Sequence, residues 1–133
     1  MSEPHRILLV EDEELNRMLV KAVLSRADIA TVRDAEVVDA VTLAAARQRL
    51  AETDVDLILL DLNLPDGDGL TLARELAAGP PPDGRPKPHV VAVTASVLPQ
   101  DQKAALDAGC DDFLDKPYAA ADLVATVARH LPA

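Results

Sequence analysis

Aromatic residues are almost absent from this sequence, and their scarcity removes several classes of function. Of 133 residues, none is Trp, and only Phe113 and Tyr118 are aromatic. Proteins that bind single-stranded nucleic acids commonly stack the bases on aromatic side chains. The chain offers no such platform, so its core has to be built from Leu, Val, Ile and Ala.

Positive charge and cysteine are also scarce. Lys and Arg number 13 against 23 Asp and Glu, which gives a net charge of −10. Such a surface repels nucleic acid backbones and anionic lipid, so we expect neither as a partner and expect a protein instead. The single Cys110 cannot form an internal disulfide, and no Cys/His cluster has zinc-site spacing. We therefore expect a reducing, cytoplasmic setting, with Cys110 as a small buried thiol.

Long apolar runs are missing as well. Runs such as Leu57–Leu60 fall far short of the roughly 18 apolar residues that a membrane helix needs. No signal peptide is evident. A chain of 133 residues lies within the usual size of one domain and can bury a single core.

What the sequence does contain is a series of strand-length apolar runs. They are Ile7–Val10, Val37–Val41 (interrupted by Asp39), Leu57–Leu60, Val90–Val93 and a weaker fifth, Asp112–Asp115. Continuous rather than alternating apolar residues indicate strands covered on both faces, which is typical of a parallel sheet.

Amphipathic stretches follow these runs and predict five helices. Thr42 is a suitable N-cap, Gly79 and the prolines after it a stop, and Pro99 a first-turn residue. The predicted helices run from Glu14 to about Ala27, from Thr42 to about Glu52, from Leu70 to Ala78, from Pro99 to Gly109, and from Ala120 to Leu131.

Two details of the helical pattern are also predictions. In the first helix, a buried face is expected at Leu15, Met18, Leu19, Ala22 and Val23. The segments Asp28–Ala35 and Gly79–Pro88 are expected to be solvated connections, although the first could extend the first helix.

Strands alternating with helices predict an open, doubly wound α/β sheet, in which ligands bind beyond the carboxyl ends of the strands. Glu11, Asp12, Asp61, Thr94 and Lys116 follow the apolar runs at those ends. Carboxylates gathered there repel one another by roughly a few kcal/mol per close pair unless a cation lies among them. Their oxygens suit Mg²⁺. A carboxylate, a hydroxyl and an ammonium beside a metal are what phosphoryl transfer requires.

Four stretches together carry a family resemblance: ILLVEDEELNR, LILLDLNLPDGDG, VVAVTAS and AGCDDFLDKPY. From Arg6 to Leu131 the sequence resembles the receiver domains of two-component response regulators. The resemblance implies a flavodoxin-like, CheY-like fold with five parallel strands in the order 2-1-3-4-5. It also implies one receiver domain over residues 1–133, with a core of about 6–131.

The resemblance further implies roles for individual residues. Asp61 would be the phosphoacceptor. Glu11, Asp12, Asp61 and the backbone carbonyl of Asn63 would hold Mg²⁺, with Mn²⁺ as a substitute. Thr94 would be the switch hydroxyl, and Lys116 would pair with a phosphate oxygen.

Phe113 has two interpretations that the sequence leaves open. It stands where receivers carry an aromatic side chain that changes rotamer together with the switch hydroxyl. It would equally serve as a packing residue of the core, half-buried in either case.

The implied function is signalling rather than enzymatic, apart from self-catalysed phosphotransfer and autodephosphorylation. A histidine kinase or histidine phosphotransfer protein would phosphorylate Asp61, and the surface of helix 4, strand 5 and helix 5 would then change for a downstream protein. A monomer and a phosphorylation-dependent homodimer both remain open. So do a stand-alone regulator and a receiver module of a hybrid sensor kinase in a phosphorelay.

One enzymatic alternative is a phosphohydrolase with an aspartyl-phosphate intermediate. Asp61-Leu62-Asn63 loosely resembles the nucleophile loop of haloacid-dehalogenase-like enzymes. Those enzymes need a second aspartate where Asn63 stands, together with a substrate cap, and the sequence has neither.

Overall fold

The computed structural model describes residues 4–79, 87–95, 98–116 and 118–131. Five parallel strands form one sheet: β1 (Arg6–Val10), β2 (Glu36–Ala40), β3 (Leu57–Asp61), β4 (His89–Thr94) and β5 (Asp112–Asp115). Their order across the sheet is β2-β1-β3-β4-β5. The predicted fold class and strand order are confirmed.

In the described part of the chain, five helices of nine residues or more connect and follow the strands. They are α1 (Glu14–Ser25), α2 (Leu43–Glu52), α3 (Leu70–Ala78), α4 (Pro99–Asp107) and α5 (Ala120–His130). Each lies within two residues of its predicted bounds. The predicted cap at Thr42 is present, because its hydroxyl accepts a hydrogen bond from the Ala45 N–H at 3.0 Å. Among the described residues, no helix is both long enough and apolar enough to span a membrane.

The sheet is covered on both faces because successive side chains of a strand point in opposite directions. Leu8, Val10, Ile58 and Leu60 pack with the apolar residues of α2, α3 and α4. Ile7, Leu9, Leu57 and Leu59 pack with those of α1 and α5. All of β3 is buried, so the residue that ends it, Asp61, is held by the most enclosed strand of the molecule.

Two short elements were missed by the sequence analysis. Residues Ala30–Arg33 form a one-turn helix, so within the segment Asp28–Ala35, predicted to be a solvated connection, Val32 is instead buried in the core. Residues Asn63–Leu64 and Gly67–Asp68 form a small antiparallel ribbon between β3 and α3, which we call the β3–α3 ribbon. Of the predicted proline-rich connection, residues 80–86 lie outside the described residues.

The predicted buried face of α1 is wrong at three of its five residues, whereas Val23 packs against the core as predicted. Leu15, Met18 and Leu19 are 66%, 59% and 55% exposed, whereas Val20 and Leu24 are the residues buried against the sheet. The helix carries two adjacent apolar stripes, and both satisfy helical spacing. Periodicity alone cannot say which of them faces the sheet. The exposed stripe leaves an apolar surface on the outer side of α1.

Helix α4 ends in a glycine motif that supplies hydrogen-bond donors to carbonyls of its last turn. The Gly109 N–H donates to the Leu106 carbonyl at 3.0 Å, and the Cys110 N–H donates to the Ala105 carbonyl at 3.1 Å. This is the Schellman pattern, which places a residue of positive φ just after the helix. Gly109 has φ +105°, and a Cβ on it would stand 2.9 Å from the Cβ of Ala77. Cys110, directly after it, is buried as predicted.

We predict that Gly109→Ala lowers the free energy of unfolding by about 1–2 kcal/mol, because alanine is strained at this φ and contacts Ala77. Urea denaturation at constant pH measures the change. Gly79→Ala is the matched control. Gly79 has φ −157°, and a Cβ on it would have none of the described atoms within 4 Å. Equal losses in the two variants would contradict the assignment.

Candidate functional site

The carboxyl ends of the central strands meet at one edge of the sheet and bring the predicted residues together there. Asp61 ends β3 opposite Val93 of β4, and Thr94 is the next residue along β4. The Lys116 N–H donates to the Thr94 carbonyl at 2.7 Å, which fixes the chain after β5 beside β4. Glu11 is fixed in the same way, because its N–H donates to the Ala40 carbonyl at 3.0 Å.

The centre of the site is an ion-pair triad of Glu11, Asp61 and Lys116. The Lys116 Nζ lies 3.1 Å from Glu11 Oε2 and 3.4 Å from Asp61 Oδ2. Glu11 and Asp61 are only 4% and 6% exposed. One ammonium therefore faces two buried carboxylates, and the triad carries a net negative charge when all three groups are ionised.

The pKa values in the triad follow from this imbalance. Burial raises the pKa of Asp61 from 3.8 to about 6; the Asn63 N–H opposes the shift and Glu11 adds to it. Burial also disfavours the charged form of Glu11, but bonds with Asp61, the Glu13 N–H and Lys116 outweigh it and lower the pKa of Glu11. As the pH rises, Asp61 therefore loses its proton after Glu11 does. Burial likewise opposes the charge of Lys116, yet the two carboxylates raise its pKa.

Asp12 completes a cluster with the donor chemistry of a divalent metal site. Carboxylate oxygens of Glu11, Asp12 and Asp61 all lie within 4.8 Å of one another, and Asp12 is the exposed member. Three carboxylates with one lysine leave negative charge that a divalent cation would neutralise. Oxygen donors of this kind fit Mg²⁺ or Mn²⁺. Among the described residues this is the only such cluster of three or more acidic, His or Cys side chains.

Asn63, predicted to be a metal ligand through its backbone carbonyl, lies next to this cluster. Its N–H donates to Asp61 Oδ1 at 3.0 Å. The two oxygens of Asp61 therefore have different partners, Asn63 for Oδ1 and Lys116 for Oδ2. Whether the Asn63 carbonyl binds the metal stays a prediction.

Thr94 and Phe113 lie on the same face of the sheet. Thr94 is buried, and it stands two residues after Ala92, the residue opposite Phe113. Side chains two residues apart point the same way, so both face α2, α3 and α4. Phe113 is half-buried and packs against that core, which confirms its packing role. Its role as an aromatic switch stays a prediction.

Contacts to Glu11 from α1 were not predicted. The Glu13 N–H and the Asn16 side chain donate to Glu11 Oε1 at 3.2 and 3.3 Å. The Arg17 guanidinium donates to the Glu11 carbonyl at 3.0 Å. Together these bonds hold Glu11 against the start of α1. The only signal of these contacts in the sequence is the spacing of Asn16 and Arg17, which follow Glu11 by 5 and 6 residues.

A groove beside the triad connects it to the surface. It lies between α1 and α5, has a volume of about 450 Å³, and includes Asn16, Lys116 and Tyr118 among its lining residues. The remaining lining residues are mainly apolar: Leu19, Val20, Val23, Ala95, Ala120 and Leu123. Leu19, one residue of the exposed apolar stripe of α1, therefore lies in the same groove as Lys116 of the triad.

Comparison with known proteins gives one consistent result. The family model described as response regulator receiver domain matches residues 7–128. The aerobic respiration control sensor protein ArcB of Escherichia coli (strain K12) is 39% identical over 123 residues, 92% of this chain. The two-component response regulator ORR41 of Oryza sativa subsp. japonica is 36% identical over 124 residues, 93% of this chain.

The relatives differ greatly in length, and a solved structure agrees with the fold. The chain spans 15% of ArcB but 92% of ORR41. The crystal structure of the Mn(2+)-bound form of response regulator Rcp1 matches with a TM-score of 0.74 and 31% identity. That match covers 98% of this chain and 100% of the Rcp1 chain.

We predict that Asp61→Asn stabilises the metal-free protein at neutral pH. The pKa of Asp61 is about 6 in the folded state, above its ordinary value of 3.8. The folded state therefore binds the Asp61 proton more tightly than the unfolded state, and the free energy of unfolding falls as the pH rises between these two values. Asparagine removes this cost, which we expect to be about 1–2 kcal/mol near pH 7 and to vanish below about pH 4.

Urea denaturation with a chelator, at both pH values, measures the effect. Asp115→Asn, at an exposed aspartate that ends β5, is the control and should change little. A gain for Asp61→Asn that is as large at low pH as at neutral pH would refute the electrostatic explanation. Added Mg²⁺ should raise the stability of the wild type and not that of Asp61→Asn.

Proposed function

The chain belongs to the response regulator receiver domain family, and on that premise we propose that Asp61 accepts a phosphoryl group from a histidine kinase or a histidine phosphotransfer protein. Receiver domains are signalling domains of two-component systems rather than classical enzymes, so the phosphohydrolase alternative is set aside. The observation that carries the proposal is the contact of Lys116 with the buried carboxylates of Glu11 and Asp61, with Asp12 beside them. We take residues 1–133 as one receiver domain with a core of about 6–131.

In the proposed reaction a carboxylate oxygen of Asp61 attacks the phosphorus of the donor phosphohistidine. The new O–P bond forms as the P–N bond breaks, and the electron pair of that bond returns to the imidazole nitrogen. A pKa of about 6 leaves Asp61 mostly ionised at neutral pH, as a nucleophile must be. A bound Mg²⁺, or Mn²⁺ in its place, held by Glu11, Asp12, Asp61 and the Asn63 carbonyl, would neutralise charge on the phosphoryl oxygens.

Lys116 has the clearest part in stabilising the product. Its ammonium already lies 3.4 Å from Asp61 Oδ2, so an oxygen of the new phosphoryl group can replace the carboxylate as its partner. The contact to Glu11 at 3.1 Å keeps the lysine in place during this exchange. Charge-assisted hydrogen bonds of this kind are short and strong.

Thr94 is proposed to report the phosphorylated state. It lies at the end of β4, one residue past the partner of Asp61, and the Lys116 N–H is bonded to its carbonyl. Its hydroxyl would turn toward the phosphoryl group, and Phe113 on the same face would repack. The surface of α4, β5 and α5 would then present a different shape to a downstream protein.

The donor protein is proposed to approach from the groove between α1 and α5, since this groove opens onto Lys116 and has an apolar lining. The chain spans 15% of the sensor protein ArcB, so a receiver module of a hybrid sensor kinase in a phosphorelay is one proposed context. A stand-alone response regulator is the other, in line with the 92% coverage of ORR41. In both we propose cytoplasmic action as a monomer or a phosphorylation-dependent homodimer.

Incubation with acetyl phosphate and Mg²⁺, followed by intact mass measurement, tests the acceptor. The wild type should gain the mass of one phosphoryl group, and Asp61→Asn should gain none, because an amide oxygen is a poor nucleophile. Asp115→Asn controls for the loss of a carboxylate near the site and should be labelled like the wild type. Equal labelling of wild type and Asp61→Asn would contradict the proposal.

A second prediction separates acceptance from signalling. Thr94→Ala should still be labelled on Asp61, since the hydroxyl takes no part in forming the O–P bond. Its phosphorylation should change the Phe113 chemical shifts less than in the wild type. Thr126→Ala, which removes a hydroxyl from another buried threonine, is the control. Full wild-type shift changes at Phe113 in Thr94→Ala would refute the switch role.

A further inference from the structure

The β3–α3 ribbon is anchored at its tip by Asp66, a residue with no part in the proposed chemistry. Leu64 and Gly67 are paired across the ribbon, so Pro65 and Asp66 form its two-residue turn. Asp66 Oδ1 accepts a hydrogen bond from the Leu43 N–H at 2.9 Å, and Oδ2 accepts one from the Ala44 N–H at 3.1 Å. Both donors belong to the first turn of α2, more than twenty residues earlier in the chain.

This contact uses the strongest anion-binding feature of a helix. The first N–H groups of a helix have no partner within it, and the helix dipole makes that end positive. Thr42 satisfies only the Ala45 N–H, at 3.0 Å, and Asp66 satisfies the two before it. The bonds from Leu43 and Ala44 lower the pKa of Asp66, so the carboxylate stays charged at neutral pH.

Packing supports the same anchor. Leu64 and Leu43 are buried in the same core cluster. Gly67 has φ +148°, and a Cβ on it would stand 3.2 Å from the Leu43 side chain. The tip of the ribbon therefore lies directly against the first turn of α2.

The base of the ribbon lies against the acceptor. The Asn63 N–H donates to Asp61 Oδ1 at 3.0 Å. The Gly69 N–H donates to the Leu62 carbonyl at 3.0 Å, and a Cβ on Gly69 would stand only 2.5 Å from the Asp61 carbonyl oxygen. A shift of the ribbon would thus move Asn63 relative to the Asp61 carboxylate.

We propose that Asp66 is a positioning residue for the metal site: by fixing the ribbon tip on α2, it sets the position of Asn63 beside Asp61. A ribbon with two residues in each strand is not stable by itself. Its shape must come from what it touches, and Asp66 supplies its charged contact with α2. This inference rests on the metal site in the proposed function, with Asn63 as one of its ligands.

The test compares Mg²⁺ affinity in variants that weaken the same helix turn in different ways. Asp66→Ala frees the ribbon tip. Thr42→Ala also removes a cap from α2 but leaves the ribbon attached. Asp66→Asn retains one oxygen as an acceptor and guards against an Asp66→Ala variant that fails to fold. Calorimetric or NMR titration with Mg²⁺ gives the Kd of each, and thermal unfolding gives its stability.

We expect the Mg²⁺ Kd to rise about tenfold in Asp66→Ala, to rise less in Asp66→Asn, and to change by under about twofold in Thr42→Ala. The melting temperature should fall in all three variants. Hydrogen exchange of the Asn63 amide should speed up in Asp66→Ala and not in Thr42→Ala, since only the former releases the ribbon.

Three outcomes would overturn the inference. An unchanged Kd in Asp66→Ala would show that the anchor does not position the site. Equal weakening in Asp66→Ala and Thr42→Ala would assign the effect to the stability of α2 alone. If the wild type binds no Mg²⁺, the metal site of the proposed function fails as well, whereas wild-type binding with an unaffected Asp66→Ala refutes only the positioning role.

Discussion

The meeting of one lysine with two buried carboxylates is the arrangement on which the site in this structure depends. Glu11 directly follows β1, Asp61 ends β3, and both are almost fully buried. Lys116 is the cation that contacts both. Lys116 and Glu11 are 105 residues apart in sequence. They meet because the parallel sheet brings the carboxyl ends of all its strands to one edge. The apolar layers on both faces hold the strands rigidly enough for a contact between charged groups to persist out of water.

This arrangement divides the molecule into a well-packed core and an edge whose buried charges are poorly neutralised. Leu, Val, Ile and Ala make up most of both layers beneath the sheet edge. At the edge itself, burial raises the pKa of Asp61 and so makes its ionised form unfavourable. Binding of a cation would relieve that cost. The fold therefore supplies the stability that allows a few side chains at one edge to remain poorly neutralised.

The sequence predicted the parts of the structure that depend on local pattern. Continuous apolar runs located the strands to within a residue, and the strand-end rule grouped Glu11, Asp61, Thr94 and Lys116. Contacts between distant segments were not predictable in this way. The burial of Val32 depends on packing by α5, the choice between the two apolar stripes of α1 depends on the sheet, and the bond from α2 to Asp66 joins residues 23 positions apart. Each of these is decided by tertiary contact, for which hydrophobic periodicity carries no signal.

The close approach of Gly69 to the Asp61 backbone, together with the anchored turn at Asp66, fixes the number of residues between β3 and α3. An inserted or deleted residue there would have to break the contact at one end or the other. The segment must therefore have the length that spans the distance from the sheet edge to the first turn of α2. Variation in chain length among natural relatives should accordingly be rare between Asp61 and Leu70, and should accumulate in connections that touch neither end of this span.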